Sequence, residues 1–476
     1  MHNPAEAQQR WFRALVARAK QTTFGKDHHF ADIQTVADFR QAVPVRDYES
    51  LKPYIEQILA GSQDVLWPGK PAYFAKTSGT TSGVKYIPLT TESIPNHINS
   101  ARDALLNYIA ETGNSAFLDK KLIFLSGSPE LTPKAGINIG RLSGIVNHHV
   151  PAYLKTNQLP AFETNTIEDW EVKLERVIDE TINQPMSLIS GIPPWVQMYF
   201  DRIQARTGKK IKDVFPDFSV FVYGGVNFEP YRAKLFDSIG KRIDSIETYP
   251  ASEGFIAFQD SQEAEGLLLL VDSGIFYEFI PADDYFNPNQ RRLTIEEVEL
   301  GKNYAVVINN NAGLWGYSLG DTVKFVSRAP YRLLVTGRIT HFISAFGEHV
   351  IGEEVEKALQ YAMQQQPETE VVEFTVAAVV SPKEGLPYHE WYVEFATFPG
   401  DVARFAADLD QKLTQLNVYY DDLIQGNILR PLQLIGLERG AFQRYMKAAG
   451  KLGGQNKVPR LSNDRTIADG LIRRAS

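Results

Sequence analysis

Near the start of the chain, in MHNPAEAQQRWFRALVARAKQ, the apolar residues Trp11, Phe12, Leu15 and Val16 recur at helical spacing with charges between them. A helix with one core-facing stripe is expected there, and the charges interrupt any apolar run of signal-peptide length. The helical period continues to about residue 60. Asp47 is placed to cap YESLKPYIEQILAG, in which Leu51, Ile55, Ile58 and Leu59 form one stripe and Gly61 ends the helix. Short apolar runs then alternate with helical stretches: KLIFLSG, IEDWEVKLERVIDETI, MSLISG, DFSVFVYGG and EPYRAKLFDSI. That alternation predicts an α/β sheet with helices against it.

From Leu267 to Val326 the helical period fades into strand-like runs such as LLLLVDSGIFYEFIP, YAVVINN and DTVKFVS, which predict a β-rich, barrel-like subdomain. After Thr336-Gly337-Arg338 the pattern changes again. It predicts a helix over roughly Gly352 to Gln365, strands near Glu373 to Val380 and Glu390 to Ala396, a helix from Asp401 and a last strand near Leu432 to Leu437. The expected fold class is α/β, with a large N-terminal domain over residues 1–337 and a small α+β domain over 338–476.

A chain of 476 residues suits a large domain with a smaller companion. Hydrophobic residues at 43% and charged residues at 22% match a soluble globular protein, and no run approaches the roughly 18 apolar residues of a membrane span. A cytoplasmic location is the default expectation, with no membrane partner and no obligate protein partner. A formal net charge of -8 argues against a nucleic-acid partner, which calls for a basic face. The absence of cysteine excludes disulfides, thiolate metal sites and a thioester nucleophile on the protein.

The densest chemical signal is KTSGTTSGVKYIPLT, Lys76 to Thr90. Ser78, Gly79, Thr80, Thr81, Ser82, Gly83 and Lys85 together offer closely approachable backbone amides, hydroxyl donors and a cation, as a phosphate-binding loop requires. The spacing of Gly79, Gly83 and Lys85 is not that of the P-loop of nucleotide hydrolases, and a Ser/Thr/Gly surface loop is the bland alternative. Gly224-Gly225 ends the run VFVYGG, where a backbone-exposing turn at a strand's carboxyl end would sit beside a ligand in an open α/β sheet. TYPASEG groups Tyr249 to stack on a base, Ser252 to bond a phosphate and Glu253 to hold magnesium; a solvated turn is the alternative. In YSLGD, Asp321 is a candidate acceptor for a ribose diol, or a turn aspartate bonding its own backbone. His148-His149 would diverge on a strand, which favours a loop or core role over a metal site. NVYYDDLI reads as packing, with Asp421-Asp422 capping the following turn.

In this order the pieces resemble the adenylate-forming superfamily of acyl-CoA synthetases, peptide-synthetase adenylation domains and luciferases. TGRITHFISAFGEHVIGEEVEKAL is similar to that superfamily's hinge and the first helix of its small domain, departing at Thr340 and Ser344. GGQNKVPRL matches the pattern around its catalytic lysine, with Asn456 in place of a glycine. Within the superfamily, TTFGKDHHF, VPVRDYESLKPYIEQILAG, the early phosphate loop, the Y-x-x-S-E and Y-x-x-G-D motifs and NKVPR resemble the plant acyl acid amido synthetases that conjugate auxin, jasmonate and benzoates to amino acids.

The resemblance implies an ATP- and magnesium-dependent ligase. It would activate a small carboxylic acid as its acyl-AMP and pass the acyl group to an amine or amino-acid acceptor. Catalysis would fall to Lys457 and Glu253. The residues from Ser78 to Lys85, Gly224, Gly225, Tyr249, Ser252, Asp321 and Arg338 would bind the nucleotide, with a hinge near Arg338. The acid would be held by walls from Ser126 to Glu130, Ile137 to Leu142 and Tyr223, which include Ser126 and Arg141. An acyl-CoA ligase of the short phenylacetate type, or a non-catalytic acyl- or nucleotide-binding relative, is the alternative.

Overall fold

The computed structural model describes residues 3–80, 83–167, 169–225, 228–339, 342–343, 345–348, 350–449, 460–462 and 465–472. Thr81, Ser82 and Lys457 lie outside them, as do Thr340 and Ser344.

The N-terminal helix spans Pro4–Ala19 and buries Phe12, Leu15 and Val16, while Trp11 donates its indole N–H to Asp272 at 2.7 Å. Asp47 caps Tyr48–Leu59 by accepting from the Ser50 N–H at 3.0 Å, and Leu51, Ile55 and Ile58 face the core.

One sheet of 11 strands organises the large part of the molecule. From edge to edge it runs Ile275–Pro281, Asn303–Asn310, Tyr317–Arg328, Tyr331–Arg338, Leu267–Leu269, Gly254–Phe258, Asp244–Ala251, Val220–Gly224, Met186–Ser190, Lys121–Phe124 and Gln158–Leu159. The last five are parallel to one another. They are short apolar runs buried between helices such as Trp170–Thr181 and Pro193–Thr207, as parallel strands require. The other strands pair antiparallel, and the change occurs at the hairpin Asp244–Ala251/Gly254–Phe258. The β-rich stretch read from the sequence is thus the antiparallel half of this same sheet.

That half curls. The strand Asp244–Ala251 and the strand Tyr317–Arg328 are four strand spacings apart, about 19 Å if the sheet were flat. Yet the Tyr249 hydroxyl donates to Asp321 at 2.7 Å. One part of this trough is packed with aromatic side chains from the N-terminal helical region, including Phe12, Phe24, Phe30 and Phe39 around Trp315. Gln8 ties the first helix to it, donating to the Val271 and Ile275 carbonyls at 2.7 and 2.9 Å and accepting from the Tyr277 N–H at 2.8 Å.

A second sheet contains Gly83–Leu89, Tyr73–Thr80, Ile137–Gly140 and Thr132–Lys134 in that order. A third contains Gln433–Leu437, Tyr388–Thr397, Glu370–Val379 and Leu461–Ser462, with the helices Gly352–Gln365 and Val402–Leu416 beside it. Its Trp391 and Val393 share an apolar cluster with Ile123 and Phe221 of the long sheet. Among the described residues, no helix is long and apolar enough to cross a membrane.

Two local expectations change. Most of Lys76 to Thr90 is a β-hairpin and not a free loop, with Thr80 paired to Gly83 and a register shift between Thr77 and Thr80. Phe74, Ala75, Ile87 and Leu89 are buried, and these apolar ends of the two strands supply the strand signal that the Ser/Thr/Gly composition masks. Asp321 lies within the strand Tyr317–Arg328 and not in a turn before it; the register against Asn303–Asn310 slips between Ala305 and Val307, and Gly320 takes φ +76°. His148 ends the helix Leu142–His148, and His149 is its C-cap.

Candidate active site

The tip of the Asp244–Ala251/Gly254–Phe258 hairpin is the two-residue turn Ser252-Glu253, fixed by the pairing of Ala251 with Gly254. Asn96, buried on the helix Ile94–Thr112, accepts from the Phe255 N–H at 2.7 Å and donates to the Phe255 carbonyl at 3.1 Å, so it completes the backbone bonding just past the turn. The Glu253 carbonyl accepts from the Asn310 side chain at 2.7 Å, and its carboxylate accepts from the Tyr317 hydroxyl at 3.1 Å. Two strands from the far side of the curled sheet therefore hold both ends of this residue.

Tyr249 and Asp321 meet in the same trough. Tyr249 is only 8% exposed and its hydroxyl is committed to Asp321, so the pair acts as one unit. Asp321 stands in register with Arg338 on the neighbouring strand. Across the Asp244–Ala251 strand, a Cβ at Gly224 would stand 2.3 Å from the Thr248 carbonyl oxygen, and Gly225 has φ +80°. The first needs glycine for close approach and the second for its backbone angle. The turn they form stands at the carboxyl end of a parallel strand, as expected of a ligand-facing turn.

On the hairpin of Tyr73–Thr80 and Gly83–Leu89, the Lys85 ammonium lies 5.8 Å over the Tyr48 ring, whose hydroxyl accepts from the Tyr86 N–H at 2.9 Å. Burial pushes the Tyr48 hydroxyl up to about 12, so it stays neutral beside this cation.

The predicted acyl-pocket residues separate. The Ser126 carbonyl accepts from the Lys173 ammonium at 2.8 Å, and Arg141 lies beside the same loop, against Gly127. Tyr223 is instead packed between Phe221 and Phe228, with ring centroids 5.0 and 4.4 Å away. It borders a groove of about 710 Å³ running along the sheet past Phe236, Lys241 and Gln259, which none of Tyr249, Glu253 and Asp321 lines. His148 and His149 reach the Pro129 carbonyl and the Tyr73 hydroxyl and do not converge. Among the described residues, no three His, Cys, Asp or Glu side chains cluster to hold a metal ion. A lone Glu253 suits magnesium, which is often held by one or two carboxylates together with substrate phosphates.

Four contributors escape the sequence reading. Tyr317 and Asn310 reach Glu253 from strands distant in sequence. Tyr419 and Asp422 lie on the helix Val418–Gln425, where Asn417 and not an aspartate is the cap, accepting from the Tyr419 and Tyr420 N–H groups. Tyr420 and Leu423 are buried, while the opposite face carries Tyr419 to the Lys76 carbonyl at 2.8 Å and Asp422 to Arg141. The i, i+3 spacing of Tyr419 and Asp422 was the available signal. Only the residues they touch, far back in the chain, give it meaning.

Three domain models of one family match in chain order. The GH3 N-terminal domain covers residues 1–173, the central domain 268–338 and the C-terminal domain 353–466. The chain belongs to the GH3 family. Among curated GH3 relatives, a jasmonoyl-L-amino acid synthetase of Nicotiana attenuata, JAR6, is 25% identical over 89% of this chain and 85% of its own length. The indole-3-acetic acid-amido synthetase GH3.4 of Arabidopsis thaliana is 20% identical over 96% and 89%. The GH3 fold is seen in the solved GH3.15 acyl acid amido synthetase, with TM-score 0.61 at 16% identity over 98% of this chain and 93% of that one. A 2-hydroxyisobutyryl-CoA ligase superposes with TM-score 0.58 at 13% identity over 97% and 91%.

Proposed function

We propose that this protein is an adenylate-forming ligase that joins a small carboxylic acid to an amine, with an amino acid as the acceptor class. The observation that carries the reading is the convergence of Glu253 and the Tyr249–Asp321 pair in one trough, in a chain whose GH3 relatives are named amido synthetases. In the first step a carboxylate oxygen of the acid attacks the α-phosphorus of ATP and the bond to pyrophosphate breaks. In the second the amine nitrogen attacks the acyl carbonyl, AMP leaves, and the amine loses a proton. No covalent bond to the protein is needed, in keeping with a chain without cysteine.

Within this scheme Asp321 accepts the ribose hydroxyls and Tyr249 fixes the Asp321 carboxylate. The Gly224-Gly225 turn, Ser252 and Arg338 contact the nucleotide, and the residues from Ser78 to Lys85 hold the departing pyrophosphate. Magnesium, bound through phosphate oxygens and Glu253, would offset the charge of two anions brought together. Lys457, assigned through its motif, supplies a cation to the attacking carboxylate and the α-phosphate. Residues 338–476 act in this proposal as a small domain that turns near Arg338 between the steps and excludes water from the adenylate. A cytoplasmic setting, where ATP is available, belongs to the same proposal.

Acid-dependent exchange of labelled pyrophosphate into ATP, screened across a carboxylic acid library, tests the first step. Acceptor-dependent AMP release tests the second. ADP and phosphate as products would replace the adenylate with an acyl phosphate, and acceleration by CoA alone would make the protein a thioester-forming ligase.

A further inference from the structure

The contact between Arg141 and Asp422 joins residues 281 positions apart, one beside the Ser126 loop and the other on the helix Val418–Gln425. Each side chain remains partly open to solvent, 33% and 44% exposed. The guanidinium is held in place by more than its carboxylate partner. On one side it lies over the Tyr419 ring, 5.3 Å from the centroid. On the other is Gly127, where an added Cβ would stand 3.0 Å from the Arg141 Cδ. A planar fork fixed this way offers two parallel N–H donors to one carboxylate, which lysine cannot do.

The position of this fork bears on the second step. The Tyr419 hydroxyl that flanks it donates at 2.8 Å to the Lys76 carbonyl, two residues before Ser78 on the hairpin that this reading gives to the pyrophosphate. On the amide-forming reading this sets Arg141 beside the hairpin that holds the departing pyrophosphate, and so next to the adenylate that the amine attacks. An α-amino acid carries its carboxylate one carbon from that amine. Asp422 is itself a carboxylate, presented by a helix that is rigidly anchored on its buried side. There Asn417 donates to Glu354 at 2.9 Å and the Tyr420 hydroxyl donates to Asp410 at 2.6 Å.

We propose that Arg141 is the residue that reads the α-carboxylate of an amino-acid acceptor, and that Asp422 occupies this carboxylate position until the acceptor arrives. The inference rests on the amide-forming reading above. It makes the acceptor site a joint product of the Ser126–Arg141 region and the helix Val418–Gln425, and it selects free amino acids over amines without a carboxylate.

The test uses the full chain with an acid identified by pyrophosphate exchange, and compares kcat/KM for a panel of standard amino acids with that for their α-amides. The wild type should prefer the free acids. Arg141→Met should reduce that preference at least tenfold by raising the amino-acid KM and leaving the amide KM near its original value. Asp422→Asn removes the stand-in carboxylate and keeps the fork, so it should retain the preference and lower the amino-acid KM. An Arg141→Met enzyme that keeps the preference overturns the proposal. So does a parallel fall in pyrophosphate exchange and in use of both acceptor types, which would make the pair a structural latch. Should no amine accelerate AMP release from the wild type while CoA does, the amide-forming reading fails first and takes this inference with it.

Discussion

The Tyr249 hydroxyl donates to the Asp321 carboxylate at 2.7 Å across a sheet in which their strands are four spacings apart. Asp321→Ala removes the carboxylate proposed to accept the ribose hydroxyls and should weaken ATP binding by about 1.5–3 kcal/mol per charged hydrogen bond lost. Tyr249→Phe leaves the carboxylate but frees its orientation, so its penalty should be smaller, about 1 kcal/mol. Titration calorimetry with ATP checks both. Equal affinities in the three proteins, with lower melting temperatures in the variants, would make the pair purely structural.

Glu253 accepts from the Tyr317 hydroxyl at 3.1 Å. Glu253→Gln keeps an acceptor for this bond and removes the charge, so the fold should persist while magnesium-dependent pyrophosphate exchange falls by about 10²-fold. Tyr317→Phe, which keeps the charge, should cost far less. Exchange rates measured over a magnesium titration separate the two, and an undiminished Glu253→Gln rate would remove this carboxylate from the chemistry.

Gly224→Ala would place a Cβ 2.3 Å from a backbone oxygen of Thr248, which has no flexible end to move aside. Strand separation is the only relief, so this variant should lose about 1–3 kcal/mol of stability, together with nucleotide affinity. Thermal unfolding in the presence and absence of ATP measures both losses. A variant with wild-type values would show that the two strands part freely.

Lys173 is buried, with its ammonium bonded to the Ser126 and Asn165 carbonyls at 2.8 and 2.9 Å. Burial first, and the nearby Arg141 charge second, lower its pKa from 10.5 to about 8. Between those values the unfolded chain binds more protons than the folded one, so this lysine makes stability rise with pH through that window. Lys173→Met should flatten the rise. Unfolding free energies of the two proteins at about pH 7.5 and pH 9.5 should therefore differ in slope, and parallel curves would mean an unshifted amine.

Lys457 should matter to one step only. A cation bridging the attacking carboxylate and the α-phosphate accelerates adenylation by strengthening in the transition state. Lys457→Ala should thus lose most acid-dependent pyrophosphate exchange yet still consume a synthetic acyl-adenylate when given the acceptor. Wild-type exchange in this variant would reduce Lys457 to a solvated surface residue.

Local chemistry was legible wherever one segment holds all of it. The apolar runs MSLISG and DFSVFVYGG mark buried parallel strands, and Asp47 marks a helix start, because short-range patterning and capping decide both. The Ser252-Glu253 turn was found as a motif for the same reason. What stayed hidden depends on the curl of the sheet. Tyr249 reads as a base-stacking ring until a strand more than 70 residues later brings Asp321 to its hydroxyl. Likewise, the two-faced pattern of Val418–Gln425 is plain in the sequence, but nothing near it names Arg141 as the partner.

The Gly224-Gly225 turn, the Ser252-Glu253 turn and Asp321 all belong to one hydrogen-bonded lattice, whereas Arg141 and Asp422 stand on elements outside it. On the proposed reading the nucleotide end of the site therefore tolerates little change, since a shift in any one strand is transmitted to the others, while the acid and acceptor ends stand on separate elements. On that reading, substitutions around Ser126–Arg141 and on the Asp422 face of Val418–Gln425 retune what is joined more readily than how it is activated, a division by which one scaffold would diversify its substrates while its energy source stays fixed.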